Sequence, residues 1–580
     1  MSHSPTHPRH DGFSQHRPWL ERYPARVPHH LGYPAVPAYE LLRQTANRYP
    51  TRAACLYYEQ RLTYRELEQQ ALRLAGYLSR IGVQPGDRVG LLLPNIPEFM
   101  TSLNAIWMVG ATAVVVSPLM VPQEASDLLK ATDCQVVIGL DLIAGIVVHG
   151  SFRPSTLILT SLRDRLRGWK QLGYAFARLQ RLGFRGIPGD IRQISWEDAI
   201  RDRGTEFTPL TIDSVEQPAF ILPTGGTTGH PKAVVLSHRN LVANAWQLHH
   251  WGGSIMGREM ILSIVPFFHS YGLSTCAMTG TAMAATLVLH HRFIPRVVRE
   301  LMETHRPTVF NAVPAMLSDL NELFRDHPLK HRSLNACMSG GAPLTQSIGE
   351  EFSEHTGAIV VEGFGLSEAS PVTHAGPLDG TAQPGTIGLP LPDTYVRIVD
   401  SEPGLTELPV GEVGEMIVRG PQVMLGYWND PEATDLAIRD GWLYTGDLAR
   451  MAEDGFFQIV DRKKDLIITS GFNVYPNEVE HILRGCEGVA DVAIVGEPDT
   501  RRGQIVKAIV VPKSGQTFNM ERFQSYAAKH LSKHKVPRLV ELSQGDLPRN
   551  FLGKVQRRRL RTELTATEGI DPDNEECEAA

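Results

Sequence analysis

Between Ile221 and Lys232 the chain reads Ile-Leu-Pro-Thr-Gly-Gly-Thr-Thr-Gly-His-Pro-Lys. Small residues let successive backbone N–H groups close around an anion and form a phosphate nest. Thr224, Thr227 and Thr228 add hydroxyl donors, and Lys232 adds a positive charge. The chemistry that suits these residues is a grip on the β- and γ-phosphates of ATP. The usual P-loop is excluded. No Gly-Lys-Ser/Thr stands at that motif's spacing, and Pro231 occupies the place where its helix would begin. A plain Gly/Thr turn between two strands is the other reading of the same residues.

Further along, Val361-Glu-Gly-Phe-Gly-Leu-Ser-Glu368 offers three functions in one turn. An aromatic face can stack on a base, a hydroxyl can bind phosphate, and a carboxylate can hold Mg²⁺. The alternative for Glu368 is an acid at a helix N-terminus. Asp447 closes Gly441-Trp-Leu-Tyr-Thr-Gly-Asp, where a carboxylate could accept from a diol or serve as an Asx-turn residue. Cys337-Met-Ser-Gly-Gly-Ala-Pro343 is a second Gly-rich loop after an apolar run, a weak signal alone. The charge run Asp461–Asp465 and the basic run around Lys554 read, by themselves, as solvated surface.

Taken together and in this order, the segments resemble the adenylate-forming superfamily of acyl-CoA synthetases, peptide-synthetase adenylation domains and beetle luciferases. The resemblance covers about residues 35–565 and is nearest to bacterial long-chain fatty acyl-CoA synthetases. Many members carry Ser where Gly225 stands; the Thr-Gly-Gly form is similar to that of the fatty acyl branch. Phe364 and Ser367 replace the Tyr and Thr of the superfamily's Gly-Tyr-Gly-x-Thr-Glu segment. The resemblance implies that Thr224, Gly225, Gly226, Thr227, Thr228, Gly229 and Lys232 hold phosphates. It implies that Gly340, Gly341, Ala342, Pro343, Gly363, Phe364, Gly365 and Ser367 line the AMP site. Asp447 and Arg462 would hold ribose, and Thr227 and Glu368 the metal. In Val265-Pro-Phe-Phe-His269, His269 would sit by the substrate carboxylate, with a hydrogen-bonded core histidine as its alternative. Leu273 stands where some long-chain members place an aromatic gate. Lys464 would be the hinge between domains. Gly471 and Phe472 would belong to the loop that enters during thioester formation, and Lys554 would be the mobile catalytic lysine.

The implied activity is that of an ATP-dependent ligase for a medium- to long-chain fatty acid. It would form acyl-AMP with Mg²⁺ present and then pass the acyl group to CoA. An acyl-AMP ligase or an aryl-CoA ligase of the same superfamily remains open, as does a non-catalytic lipid-binding or membrane scaffold.

The elements that must position these residues read as a wound α/β sheet plus β-structure, followed by a small mobile α+β module. Pro218–Leu222 reads as a buried strand leading into the phosphate loop. Thr63-Tyr-Arg-Glu66 starts a helix running to about Ile81, and Arg88–Leu93 reads as a strand followed by a helix from Glu98. Asn477–Arg484 and Met520–Leu531 read as helices, and Val489–Val495 and Val506–Val511 as strands. The expected division is a flexible tail over 1–35, an adenylation domain over 36–463, a mobile domain over 464–565 and an acidic tail over 566–580.

The chain has 580 residues and a net charge of −6, so no nucleic-acid role is implied. Six scattered cysteines argue against disulfides or zinc and suit a reducing cytoplasm. Phe99–Pro122 and Met260–His290 lack Asp, Glu, Lys and Arg, but prolines and polar residues interrupt them. They read as buried helix-plus-strand pairs rather than spans. Arg163–Arg185 interleaves seven basic residues with aromatic and aliphatic ones, against Asp164 alone. That pattern fits either a helix on an anionic membrane surface, which would make the protein peripheral on the inner face, or a solvated helical flap. Three glycines within the run weaken a continuous helix.

Overall fold

The structure is a computed structural model of the chain. It describes residues 17–165, 169–182, 186–201, 207–224, 232–470, 472–499, 501–515, 518–549, 554–557 and 559–560. The chain divides into two compact units. The large unit is Trp19–Val396 with Val418–Leu443; the small unit holds Arg397–Ile417 and the described residues from Tyr444 onward.

Two sheets organise the large unit. One has eight strands, and five of them are consecutive parallel neighbours: Thr112–Val115, Arg88–Leu92, Val136–Leu140, Thr156–Thr160 and Arg192–Ser195. The strand Pro218–Thr224 adds in parallel to Thr112–Val115, and Lys232–Ser237 returns antiparallel to it. The second sheet has nine strands. Met260–Ser263, Val309–Ala312, Ala336–Gly340 and Ile359–Gly365 run parallel there in that order, so their C-terminal ends emerge together. Loops at such ends are where open α/β sheets bind ligands.

Local signals formed as their chemistry dictates. Tyr64–Arg80 is a helix whose Thr63 side chain accepts from the Glu66 N–H while Glu66 accepts from the Thr63 N–H. The uncharged runs are buried pairs of elements: helix Pro97–Met108 with strand Thr112–Val115, and strands Met260–Ser263 and Thr286–Leu289 around a π-helical turn, Leu273–Met278. Among the described residues no helix is long and apolar enough to cross a membrane. Trp169–Leu182 is one continuous helix in spite of Gly173.

Two expectations about organisation change. Residues 19–35 do not form a flexible tail: Trp19 is buried, and the Tyr23 hydroxyl donates to the Pro390 carbonyl at 2.5 Å. Asp393 accepts from the Leu31 N–H at 2.8 Å and the Tyr33 hydroxyl at 2.9 Å. Aromatic side chains with polar tips tie this stretch down. The small unit also takes Arg397–Ile417 and Tyr444–Lys463, N-terminal to the boundary expected at 464. The reason is strand pairing: Trp442–Met451 pairs with Phe457–Arg462, so the two arms of that hairpin stay together.

Within the small unit, Val489–Asp499 and Gly503–Pro512 form a long antiparallel pair, flanked by Ile467–Thr469 and Leu539–Leu542. Helices Pro476–Leu483 and Met520–His530 cover one face, burying Val479, Leu483 and Phe523 on Val492, Ile494 and Val510.

Candidate active site

The strands that flank the proposed phosphate loop are antiparallel neighbours. Thr224 ends one strand and Lys232 begins the next; they are register partners, and the Thr224 hydroxyl donates to the Lys232 carbonyl at 3.2 Å. Gly225, Gly226, Thr227, Thr228 and Gly229 lie outside the described residues. The Lys232 ammonium stands 4.9 Å from the centroid of the Tyr427 ring, and the Tyr427 hydroxyl donates to Glu368 at 3.0 Å. Tyr427 therefore joins the loop's lysine to the proposed metal carboxylate. Sequence reading passed over it because a tyrosine in Gly-Tyr-Trp carries no chemical signal of its own.

Glu368 is half-buried, and its second carboxylate oxygen accepts no hydrogen bond from a described residue. A carboxylate oxygen has the hard-donor character that Mg²⁺ takes. Among the described residues no group of three or more metal-ligating side chains exists. A metal carried in on substrate phosphates needs only one or two protein carboxylates.

The two remaining glycine loops sit side by side on the nine-stranded sheet. Gly340 and Gly363 are register partners at the ends of adjacent parallel strands. A Cβ at Gly340 would lie 3.0 Å from the Tyr271 ring, and one at Gly363 would lie 2.6 Å from the Met338 sulfur. Gly341 has φ +83°, a left-handed conformation that favours glycine. The Glu362 carboxylate accepts from the Leu344 N–H at 3.3 Å, and burial raises its pKa to about 7. Phe364 packs edge-on to His374, with centroids 6.0 Å apart. The Ser367 hydroxyl lies 3.1 Å from that of Ser270. At Gly365 a Cβ would come within 2.0 Å of the Pro371 carbonyl oxygen, so no other residue fits.

His269 is half-buried and caps the short turn Ser270–Gly272, its Nδ1 accepting from the Tyr271 N–H at 3.2 Å. Desolvation lowers its pKa to about 4, so the ring is neutral and carries its proton on Nε2. Leu273 is fully buried. The aromatic ring in this turn is Tyr271, whose hydroxyl donates to the Met338 carbonyl at 2.8 Å.

A cavity of about 370 Å³ lies along one face of the same sheet. Strand alternation builds its floor. Val309, Ala336 and Ile359 are aligned in one row, and Asn311, Met338 and Val361 in the next. The alternate residues Phe310, Cys337 and Val360 face the opposite way and pack into the core with Leu317, Leu320 and Phe352. One row further along, the side chains are the hydrogens of Gly340 and Gly363. Met338 and Val361 therefore bound the cavity on the side of the glycine row, and Val309, Ala336 and Ile359 mark its outer end. Leu248, Trp251 and Met283 form the facing wall.

In the small unit, Asp447 and Arg462 are cross-strand partners, joined at 2.6 Å. Asp447 is buried and Arg462 half-buried, so an acceptor and a donor are fixed side by side. Glu415 steadies the turn before Asp447, accepting from the Gly446 N–H at 3.1 Å and the Lys463 ammonium at 2.9 Å. Lys464 is exposed within the turn Lys463–Asp465. Lys554 keeps solvent contact. Partial desolvation and the neighbouring Arg462 and Lys464 hold its pKa below the ordinary lysine value, while Asp447 and Asp465 act in the opposite sense. Three residues on, Arg557 is buried and donates to Glu480 at 2.7 Å and to Asn477 at 2.6 Å. Burial raises the Asp461 pKa to about 6, although the Asn477 N–H donates to that carboxyl at 2.8 Å. Phe472 is exposed and stacks on His534 at 4.9 Å; Gly471 lies outside the described residues.

The family model for AMP-binding enzymes matches residues 42–428, and that for the AMP-binding enzyme C-terminal domain matches residues 478–554. A long-chain-fatty-acid–CoA ligase of Bacillus subtilis is 37% identical over 562 residues, covering 96% of this chain and 99% of its own. The enzyme of the same name from an Escherichia coli O6:H1 strain is 34% identical, covering 94% and 98%. A feruloyl-CoA synthase from Amycolatopsis is 32% identical over 86% of this chain and 93% of its own. Among solved structures, ATP-bound MatB from Rhodopseudomonas palustris superposes with a TM-score of 0.75 at 28% identity, over 92% of this chain and all of its own.

Proposed function

The chain belongs to the AMP-binding enzyme family, and on that premise we propose that it is an ATP-dependent fatty acyl-CoA ligase. The observation that carries the choice of acid is the mainly apolar cavity whose Met338–Val361 row stands next to the Gly340–Gly363 row. Taking a methylene as about water-sized, ~30 Å³, the cavity seats about a dozen of them. Its mainly apolar lining, with Leu248, Ile261, Val309, Ala336 and Val361, suits a flexible chain with the carboxylate at the inner end.

The reaction runs in two halves. A carboxylate oxygen of the acid attacks the α-phosphorus of ATP in line, and the bond to the β-phosphate oxygen breaks with release of pyrophosphate. The thiol sulfur of CoA then attacks the acyl carbonyl, AMP leaves, and the thiol proton is released. Negative charge grows on the phosphate oxygens in the first half, so fixed donors and cations there lower the barrier most. Thr224 and Lys232, with Thr227 and Thr228, hold the departing pyrophosphate. Ser367 donates to the α-phosphate, and Phe364 and the backbone of Gly340–Pro343 enclose adenine. Asp447 accepts from the ribose hydroxyls while Arg462 orients it. The Nε2–H of His269 donates toward the acid's carboxylate. The ammonium of Lys554 stabilises the α-phosphate charge. Glu368 and Thr227 would hold Mg²⁺, which neutralises phosphate charge when bound. Lys464 serves as the pivot on which the part of the small unit that follows it turns, withdrawing Lys554 and bringing the Gly471–Phe472 loop forward for the second half.

The test is pyrophosphate release with acids from acetate to oleate, with and without CoA. Decanoate and dodecanoate are expected to lead, with CoA-dependent thioester formation. Release without any thioester would make the protein an acyl-AMP ligase. Turnover confined to cinnamate-like acids would favour the aryl reading that the similarity to a feruloyl-CoA synthase supports. No release with any acid would leave only a binding role.

We also propose contact with an anionic membrane surface through the helix Trp169–Leu182. Its Tyr174 and Leu182 are buried, and Arg178 pairs with Asp141 at 3.1 Å, which fastens the helix to the body. Leu172, Phe176 and Leu179 recur at helical spacing and are exposed, in a sequence rich in Arg and Lys. Replacing Leu172 and Phe176 by Ser should lower co-sedimentation with phosphatidylglycerol vesicles while leaving turnover of a short acid intact. Unchanged sedimentation would refute the contact.

A further inference from the structure

The outer end of the apolar cavity is bordered by a side chain from the N-terminal segment. Arg26 lines it together with Ser254, Glu259 and Asn335. A Cβ built on Gly253 would lie 2.4 Å from the Arg26 Nε and 2.7 Å from its Cζ. The guanidinium therefore rests on the last turn of the helix His238–Gly252, which Gly253 caps in the left-handed conformation. A helix C-terminus carries partial negative charge and attracts a cation. The hydrogen bond that Arg26 makes there, to the Leu378 carbonyl, is long at 3.5 Å. Arg26 thus stands at a mouth it shares with Ser254, Glu259 and Asn335, held among the described residues by a partial charge and one long bond. On the same rim Ile255 is 55% exposed and Ile359 38% exposed.

A cavity for about a dozen methylenes cannot enclose the whole of a sixteen- or eighteen-carbon chain. The excess must leave at the outer end, where the guanidinium stands. We propose that Arg26 is a movable stop that sets the acyl-chain length: shorter chains end beneath it, and longer ones displace it and lay their tails on Ile255 and Ile359. This rests on the fatty acyl reading of the cavity. An alkyl tail pressed against a guanidinium loses water from the charge without replacing its partners, which is unfavourable. Once the side chain swings outward it regains water, and the tail gains apolar contact on the two isoleucines.

The test compares kcat/KM for decanoate and hexadecanoate in the full chain. Arg26→Ala should raise the hexadecanoate-to-decanoate ratio by about fivefold, the worth of one to two seated methylenes, with decanoate nearly unchanged. Gly253→Asn keeps Arg26 but drives it from its seat, and Asn tolerates the left-handed backbone; it should raise the ratio in the same direction. Ile255→Ser should lower the ratio, acting on hexadecanoate alone. An unchanged ratio in all three, with wild-type decanoate turnover, would overturn the stop. Absence of turnover with every acid in the unaltered chain would instead overturn the fatty acyl reading. Because the readout is a ratio of two substrates in one protein, partial loss of folded enzyme does not affect it.

Discussion

Filling the outer row of the cavity should shorten the preferred acid by a calculable amount. Ala336 faces the cavity between Val309 and Ile359, two residues outside the Met338 row. Ala336→Leu adds three carbon atoms there without disturbing Phe310 or Cys337, which point into the core on the other face. Space for about three methylenes is lost. At ~0.8 kcal/mol for each methylene that no longer finds apolar cover, dodecanoate loses about 2.4 kcal/mol of transition-state binding. That corresponds to roughly a 60-fold fall in kcat/KM. Octanoate, confined to the inner rows, should change by less than the ~4-fold worth of one methylene. Coupled pyrophosphate release over even-numbered acids from six to sixteen carbons reads both values in one series. A uniform loss across the series would show that residue 336 acts on folding or nucleotide binding. An unchanged dodecanoate value would show that the acyl chain does not lie along this face, and the assignment of the cavity would fail with it.

Lys554→Ala should abolish pyrophosphate release yet largely spare thioester formation from supplied acyl-AMP; equal loss in both halves would remove the division of labour proposed for the small unit. Lys464→Pro should do the reverse, slowing the CoA step with acyl-AMP formation retained, and normal thioester rates in that variant would exclude the pivot. Because the Lys554 pKa is depressed and its charged form does the work, pyrophosphate release should decline with rising pH earlier than an ordinary lysine would allow. The thioester step should climb over the same range as the CoA thiol ionises near pH ~8.5, and parallel pH profiles would contradict this. Arg557→Met leaves the buried Glu480 short of its main partner. Thermal and urea unfolding should register a loss of about 3–5 kcal/mol in the small unit, and a loss under about 1 kcal/mol would show the pair to be well solvated.

Much of the candidate site was legible because its signals are local. Thr224 and Lys232 are eight residues apart and bracket a loop that any strand–glycine–strand sequence must close. The capping box at Thr63 and Glu66 and the strand-and-helix pairs in the uncharged runs follow from neighbours in the chain. Tertiary structure decided what depends on distant packing. Val309, Ala336 and Ile359 are apolar, and so are Phe310, Cys337 and Val360. Only the helices packed on one face and the space left on the other separate a cavity floor from a core. The link from Lys232 through Tyr427 to Glu368 spans nearly two hundred residues and leaves no periodic trace. The N-terminal segment looked like a tail because its prolines and histidines suppress regular structure. Its tyrosines find partners only where Pro390 and Asp393 are brought to meet them. Alternation and turn chemistry are written in residue types; which face meets which is set by the packing of elements far apart in the chain.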